Sequence, residues 1–446
     1  MSTNADIVVV GGGPGGLEAA TRAAEAGFRT YLVSALPAGG RATYGSLLPS
    51  KVWLHTAEEH AEQGQHADHV TSQIKQRQQQ WSETMRSRLE GLGVSVVQGS
   101  AQVRDRHHVS VETQSNGDTG EHLDIEARYI VIASGSEPIF FDGMRPDGER
   151  IIAPRHTQKL TEVPASMVMI GGGVTGCEYA MAFQKLGTDV QLVTDVDRLL
   201  PRTDPEISEA LKSYFHSLGT QVTTSAPIQS VTRDGNRVRV TTQDGTALEA
   251  DYAFIATGRG PDGELLGQGN EKPEQDRKGW ILIDENGRTS LDTVYAVGDV
   301  TGPPLTANKA FAQARSAIRD IAKREQGARV GPDISKAPSI EAVYTHPQVA
   351  HIGPVNELGS QTPEGVRLIR KGYDEIMLPQ IHQSDSGIVK IWVDASSGEI
   401  RGASAFGEKA AEVLAPVQLA MQHGLSYEAL TAAPYAHPTL TEILSW

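Results

Sequence analysis

Cysteine is the scarcest resource of this chain: one among 446 residues. A single thiol cannot close an internal disulfide, form a CxxC redox pair or build a cysteine-rich metal centre, and it fits a reducing, cytoplasm-type compartment. Long apolar runs are also missing. The longest are strand-length, far below the ~20 residues that span a bilayer. The N-terminal Met-Ser-Thr-Asn-Ala-Asp has no basic residues and runs straight into Ile7–Val10, so neither a cleavable signal nor a membrane span is expected. Basic residues are in the minority, 40 Lys plus Arg against 55 Asp plus Glu, for a net charge of -15. An acidic surface argues against binding the phosphate backbone of nucleic acid, which needs a basic face. Histidines such as His55, His60 and His107 show no ligand spacing; they are expected at the surface, and no metal is expected.

Glycine is abundant, with 46 residues gathered in short clusters. The first, Gly11-Gly12-Gly13-Pro14-Gly15-Gly16, follows the apolar run Ile7-Val8-Val9-Val10 and precedes an alanine-rich helix from Leu17 to Ala26. Gly27 is placed to end that helix, and a second apolar run, Tyr31-Leu32-Val33, comes next. Gly11, Gly13 and Gly16 satisfy GxGxxG, the spacing at which a helix N-terminus and a side-chain-free backbone cradle a pyrophosphate. The pattern recurs. Met167–Ile170 precedes Gly171, Gly173 and Gly176, then a helix through Leu186-Gly187 and the run Val190–Val193. Each copy goes on through a hairpin signal (Asn116-Gly117 in the first, Asp234-Gly235 and Asp244-Gly245 in the second) to an apolar strand ending at a glycine, Ser134-Gly135 or Thr257-Gly258. One such motif is weak evidence, but two, each between strand and helix, predict a nucleotide-binding domain used twice.

The acidic residue expected at the end of each second strand, where it holds ribose hydroxyls, is replaced by Ser34 and Thr194. Asp195 and Asp197 follow Thr194 and would repel an adenosine 2′-phosphate, which favours NADH over NADPH; Arg198 and Arg202 pull the other way. Residues 51–92 read as a polar helical excursion with a glutamine patch at Gln76, Gln78, Gln79 and Gln80, and no chemistry is assigned to it. Residues 267–278 read as a charged loop. Thr293–Val297 is a buried strand leading into Gly298-Asp299, and residues 339–446 form a separate α+β module with an amphipathic helix from Ala410 to His423.

In these motifs the chain resembles the flavoprotein disulfide reductases. The expected fold class is α/β, with two Rossmann-like dinucleotide domains and a C-terminal α+β dimerisation domain. The resemblance implies an FAD-binding domain in residues 1–148, an NAD(P)-binding domain in 149–264, a returning part of the FAD domain in 265–335 and the dimerisation domain in 336–446. It implies FAD contacts from Gly11, Gly13, Pro14, Gly16, Ser34, Gly40, Arg41, Lys51, Ala101 (in Gly99-Ser100-Ala101), Ser134, Gly135, Gly298, Asp299, Leu305 and Thr306. NAD(P) contacts would come from Gly171, Gly173, Gly176, Glu178, Thr194, Asp195 and Gly258. Lys51, in Pro49-Ser50-Lys51, and Glu178 match the family's Lys–Glu pair beside the reactive flavin nitrogen. His437 and Glu442 match an acid–base dyad contributed across a homodimer interface. Without a dithiol, His437 either protonates another acceptor or remains as an interface residue.

The family's two cysteines, with four residues between them and lying between Gly-Gly and Pro-Ser-Lys, fall here on Ala42 and Leu47. Neither side chain can carry a mixed disulfide, so disulfide reduction by the family route is excluded. The remaining Cys177 reads as a small packing residue in the second glycine motif. The function expected is an FAD-dependent NAD(P)H oxidoreductase, NADH favoured, with a small acceptor such as a quinone stacking against Ala42, Tyr44 and Leu47. A soluble pyridine-nucleotide transhydrogenase and a non-catalytic flavin- or nucleotide-binding sensor or partner subunit are the alternatives.

Overall fold

Four consecutive β-branched residues favour an extended chain, and Ile7, Val8, Val9 and Val10 are all buried in the strand Ser2–Val10. The computed structural model describes residues 2–60, 67–115, 118–262, 271–327, 338–384 and 386–445. The chain divides into two compact units. One comprises Met1–Pro49, Gln73–Ile139 and Arg259–Lys336; the other comprises Ser50–Ser72, Phe140–Gly258 and Ala337–Trp446.

In the first unit, Ser2–Val10 pairs in parallel with Thr30–Ser34 on one side and Asp118–Ile132 on the other. Ser95–Gln98 extends the parallel sheet beyond Thr30–Ser34, and Val294–Ala296 extends it beyond Asp118–Ile132. Past Gln98 the same strand turns into an antiparallel meander with His108–Ser115 and Asp118–Ile132. The expected Asn116-Gly117 turn lies outside the described residues. The strands are apolar on both faces because each face is covered. Helices Pro14–Glu25 and Ala307–Gln326 pack Leu17, Ala20, Ala314 and Ile318 against Ile7 and Val131, while Val8, Val10, Ile130 and Ile132 face Val109 and Ile281. Each buried Val, Leu or Ile among them contributes about 1.5–3 kcal/mol by leaving water.

The second unit repeats the architecture. Gln221–Thr223, Asp189–Val193, Ser166–Ile170, Tyr252–Ile255 and Ile151–Ile152 form a parallel sheet in that order, beside a meander of Ile228–Asp234, Arg237–Thr242 and Ala247–Ala250. Gly235 and Gly245 take positive φ at the meander turns, as their Asp-Gly pairs predict. The same unit holds an antiparallel sheet, Glu341–Val343, Gln348–Ile352, Ile400–Gly407, Ile388–Asp394 and Val366–Gly372, covered by the helix Ala410–Gln422. That helix stops one residue short of the expectation, with His423 as its cap.

The expected four-part division maps onto these units with its first and third segments largely in one and its second and fourth in the other. Its limits at 264 and 335 fall outside the described residues, as does part of the 267–278 loop. Two sequence readings change. Gln78 is buried while Gln76, Gln79 and Gln80 are exposed: its side-chain amide donates to the Thr43 carbonyl at 3.0 Å, tying the long helix Ala67–Gly91 to the short helix Gly40–Tyr44. His107 is half-buried, with Nδ1 against the Ala127 carbonyl at 2.9 Å, and is not a surface histidine.

Two features of the second unit can be tested by substitution. Lys390 is buried with its ammonium 2.6 Å from the fully buried Asp204 and 2.8 Å from Glu206. Lys390→Met keeps the packing but strands the Asp204 carboxylate, so it should cost about 3–5 kcal/mol, read as a lowered denaturant midpoint. A Cβ on Gly176 would overlap the Gly171 carbonyl oxygen, whereas one on Gly173 meets nothing within 4 Å. Gly176→Ala should therefore cost about 3 kcal/mol or more, and Gly173→Ala should leave the melting temperature nearly unchanged.

Candidate functional site

The two glycine turns share one geometry. Gly11 and Gly171 each adopt φ of 113°, a conformation other residues rarely reach, which turns the chain from strand into helix. A Cβ on either would strike a carbonyl oxygen, that of Ala133 or of Ala256, at the end of the neighbouring strand. Gly16 and Gly176 bring the first helical turn onto the Gly11 and Gly171 carbonyls. Gly13 and Gly173 have open space at the Cβ position and are the N-caps of helices Pro14–Glu25 and Val174–Lys185, with no side-chain cap. The first-turn N–H groups of each helix have no intrahelical acceptor, and a phosphate is the partner this arrangement suits.

In both copies the chain returns after its second strand and donates a main-chain N–H to the middle glycine. Gly39 donates to the Gly12 carbonyl, and Leu200 to that of Gly172, each at 2.8 Å. In the first copy the returning residue is followed by Gly40, where a Cβ would lie 2.9 Å from the Gly13 nitrogen. Backbone thus lies on backbone, a cradle that any side chain would fill, and the residues present fit a dinucleotide. Ser34 sits against Gly12, and Arg41 donates to the Ser134 carbonyl at 3.0 Å while pairing with Asp262 at 2.8 Å and with Glu137. The structure therefore brings Gly11, Gly13, Pro14, Gly16, Ser34, Gly40, Arg41, Ser134 and Gly135 together. On the same unit, Asp299 accepts from the Ser136 hydroxyl at 2.7 Å, and Gly298 donates to Gln313 at 2.8 Å. Thr306 caps the helix Ala307–Gln326, with the half-buried Leu305 before it. Ala101 is buried three residues past Gln98, the register partner of Ser34. Sequence reasoning missed Arg259, directly after Gly258, whose Nε donates to the Ser136 hydroxyl at 2.7 Å.

In the second copy Thr194 is buried beside Gly172, while Asp195 and Asp197 are exposed. Gly258, with φ of 114°, has open space around its Cβ position. Arg198 and Arg202 are both engaged, the former with Asn356 and the latter with Glu341, each at 2.5 Å.

Lys51, on the helix Leu47–His60, meets Glu178, on the helix Val174–Lys185, with Nζ 2.6 Å from Oε2. The rings of Trp53 and Phe183, 5.1 Å apart, lock those helices together. Glu178 is buried, so both carboxylate oxygens need partners. Oε1 finds one in the main-chain N–H of Tyr344 at 3.0 Å, and the Tyr344 ring lies 4.7 Å from the Lys51 ammonium. Tyr344 escaped sequence reading; its only signal is an aromatic beside a His-Pro pair.

Cys177 precedes Glu178 but is fully buried, and its thiol lies 3.5 Å from the Gly172 carbonyl oxygen. Burial, and secondarily the Glu178 charge, push that thiol well above the ordinary cysteine range, so it stays protonated. Ala42 and Tyr44 lie on the helix Gly40–Tyr44, where the Tyr44 hydroxyl reaches the Gln78 carbonyl at 3.4 Å, and Leu47 is 47% exposed. His437 Nδ1 is 2.6 Å from Glu442 Oε2; the carboxylate is buried and the imidazole exposed, so the ring is held at Nδ1. Lys371 donates to the Ile443 carbonyl at 3.1 Å and anchors the turn that carries Glu442. Among the described residues no cluster of His, Cys, Asp or Glu could hold a metal ion, and no helix is long and apolar enough to cross a membrane.

Residues 5–314 match the family described as pyridine nucleotide-disulphide oxidoreductase, and residues 339–446 match its dimerisation domain. A dihydrolipoyl dehydrogenase of Chlamydia pneumoniae is 31% identical over 99% of this chain and 96% of its own length. The crystal structure of LpdA from Mycobacterium tuberculosis superposes with a TM-score of 0.90 at 26% identity, covering 99% of this chain and 98% of that one. A HOCl-induced flavoprotein disulfide reductase, RclA from Escherichia coli, shares the fold with a TM-score of 0.86 at 22% identity, over 98% of both chains. The chain belongs to the pyridine nucleotide-disulphide oxidoreductase family, FAD-containing NAD(P)-dependent oxidoreductases, and carries that family's dimerisation domain.

Proposed function

We propose that this protein is an FAD-dependent NADH oxidoreductase that delivers electrons to a small non-disulfide acceptor such as a quinone, in a reducing compartment and as a homodimer. The observation that carries the proposal is the state of its sulfur. The positions at which the resemblance expects a cysteine pair are Ala42 and Leu47, and the one thiol, Cys177, is fully buried. No dithiol is available to relay electrons to a disulfide. In overall balance NADH gives up a hydride, one further proton is taken up, and a quinone leaves as its hydroquinone.

The flavin, when bound, supplies a two-electron carrier able to accept hydride. The main-chain cradle of Gly11–Gly16 and Gly40, with Ser34, Ala101, Ser134, Gly135, Asp299, Leu305 and Thr306, is the site we assign to FAD. The turn of Gly171, Gly173 and Gly176, with Thr194, Asp195 and Gly258, is the one we assign to NADH. Lys51 contributes a fixed positive charge, aimed by Glu178 and flanked by the Tyr344 ring. Negative charge developing beside it needs no solvent reorganisation, because the ammonium is already held. Ala42, Tyr44 and Leu47 are the surface we assign to the acceptor. They are apolar or aromatic and none is fully covered, with Leu47 the most exposed. His437, with Nδ1 held by Glu442, carries at Nε2 the proton we assign to the acceptor. The intact Lys51–Glu178 pair speaks against a sensor that binds nucleotide without turnover.

Purified holoenzyme given NADH should reduce menadione or a related quinone at least about a hundredfold faster than lipoamide or glutathione disulfide; rapid disulfide turnover overturns the reading. Maleimide should label no thiol in the native protein and one after denaturation. Lys51→Met or Glu178→Gln should slow flavin reduction by NADH in stopped flow by about 10²-fold or more, the usual scale for removing one preorganised electrostatic contact. Unchanged reductive rates would remove the pair from the chemistry.

A further inference from the structure

The arrangement of Arg198 and Arg202 bears on which nicotinamide dinucleotide the second glycine turn accepts. A dinucleotide on such a turn sets its adenosine ribose at the end of the second strand, and an arginine close by accommodates a 2′-phosphate. Here that strand is Asp189–Val193, followed by Thr194, and the next residues fold back over the turn. Thr194 and Leu199 side-chain atoms lie 3.1 Å and 3.0 Å from the Cβ position of Gly172, and Leu200 donates to the Gly172 carbonyl. Arg198 is therefore carried between two residues that touch the turn, with Arg202 one short step further on.

Neither guanidinium is free. Arg198 Nη2 donates to Asn356 Oδ1 at 2.5 Å and to the Pro201 carbonyl at 3.3 Å, while Nη1 meets Asp197 at 3.4 Å. Arg202 Nη2 donates to Glu341 Oε2 at 2.5 Å. Asn356 and Glu341 both belong to the dimerisation domain, on the helix Val355–Ser360 and the strand Glu341–Val343. Glu341 is itself braced, with its other oxygen 3.7 Å from His351 Nε2. Burial alone would raise its carboxyl, but His351 and Arg202 outweigh burial and hold it below the usual carboxylate range, so the clamp on Arg202 is anionic at neutral pH.

We propose that the dimerisation domain sets dinucleotide preference: Asn356 and Glu341 act as positioning residues that hold Arg198 and Arg202 away from the ribose, so that the exposed Asp195 dominates the field there and a 2′-phosphate is rejected. The inference rests on the NADH reading above and deepens it. It assigns specificity to residues of a domain that contributes nothing to the glycine turn itself.

The test is isothermal titration of the holoenzyme with NAD+ and NADP+, which needs no turnover. Asn356→Leu removes the acceptor at similar volume, and Glu341→Gln keeps a hydrogen bond but removes the charge. Together they should tighten NADP+ binding about tenfold, the scale of one hydrogen bond to a charged group, and leave NAD+ within about twofold. The gain should shrink at high salt, as freed guanidinium–phosphate contacts are screened. Adding Arg198→Ala and Arg202→Ala to that background should abolish it. Should the leucine variant fold poorly, Glu341→Gln alone still has to tighten NADP+ measurably. Variants that change both nucleotides equally, or neither, overturn the proposal while leaving the NADH reading intact. A wild-type protein that binds NADP+ as tightly as NAD+ overturns both.

Discussion

Glu178 cannot be buried alone. Burying a carboxylate is costly unless its oxygens find partners, and here the partners come from opposite directions in sequence: the Lys51 ammonium, and the main-chain N–H of Tyr344. One side chain thereby joins a helix near the N-terminus, the first helix of the second nucleotide domain and the start of the dimerisation domain. The aromatic contact of Trp53 with Phe183 packs two of those segments together, and that of Tyr179 with Phe254 seats the second helix on its sheet. A charge held so firmly cannot be moved without disturbing all three segments. Paired charges also join the nucleotide domain of this unit to the dimerisation domain where Lys390 meets Asp204 and where Arg202 meets Glu341.

The duplicated turn shows how one backbone solution serves two ligands. Strand, glycine, helix and returning chain superimpose in their logic down to the single hydrogen bond onto Gly12 or Gly172. What differs is the bulk of the returning residues. Gly39 and Gly40 let the first copy lay one main chain on another, whereas in the second the hydrogen-bonded residue is Leu200 and the Leu199 side chain packs against Gly172. The middle glycine thus meets Ser34 in the first copy and Thr194 with Leu199 in the second, and such side chains are where specificity can be adjusted by substitution.

Much of this is legible in the sequence because it depends on local geometry. A glycine that must take positive φ, and an apolar run that must be covered on both faces, announce themselves over a few residues; hence both turns, both sheets and the α+β module were readable. The Lys51–Glu178 pair became readable only through resemblance, since nothing local links residues 127 positions apart. Gln78, Tyr344 and Asn356 were not readable at all. Each is a common residue whose role comes from a partner brought to it by the tertiary fold: the Thr43 carbonyl, Glu178 and Arg198. The two arginines stood out in the sequence as possible phosphate ligands, and only their neighbours in space reveal how they are occupied.

The burial of Cys177 has a consequence for survival under oxidative stress. Peroxide attacks thiolates, first forming a sulfenic acid and then irreversible higher oxides, and reductases that work through exposed thiols stand in the path of that attack. This protein's one sulfhydryl is protonated, enclosed and remote from solvent. While the fold holds, it presents no cysteine to peroxide or to soft electrophiles.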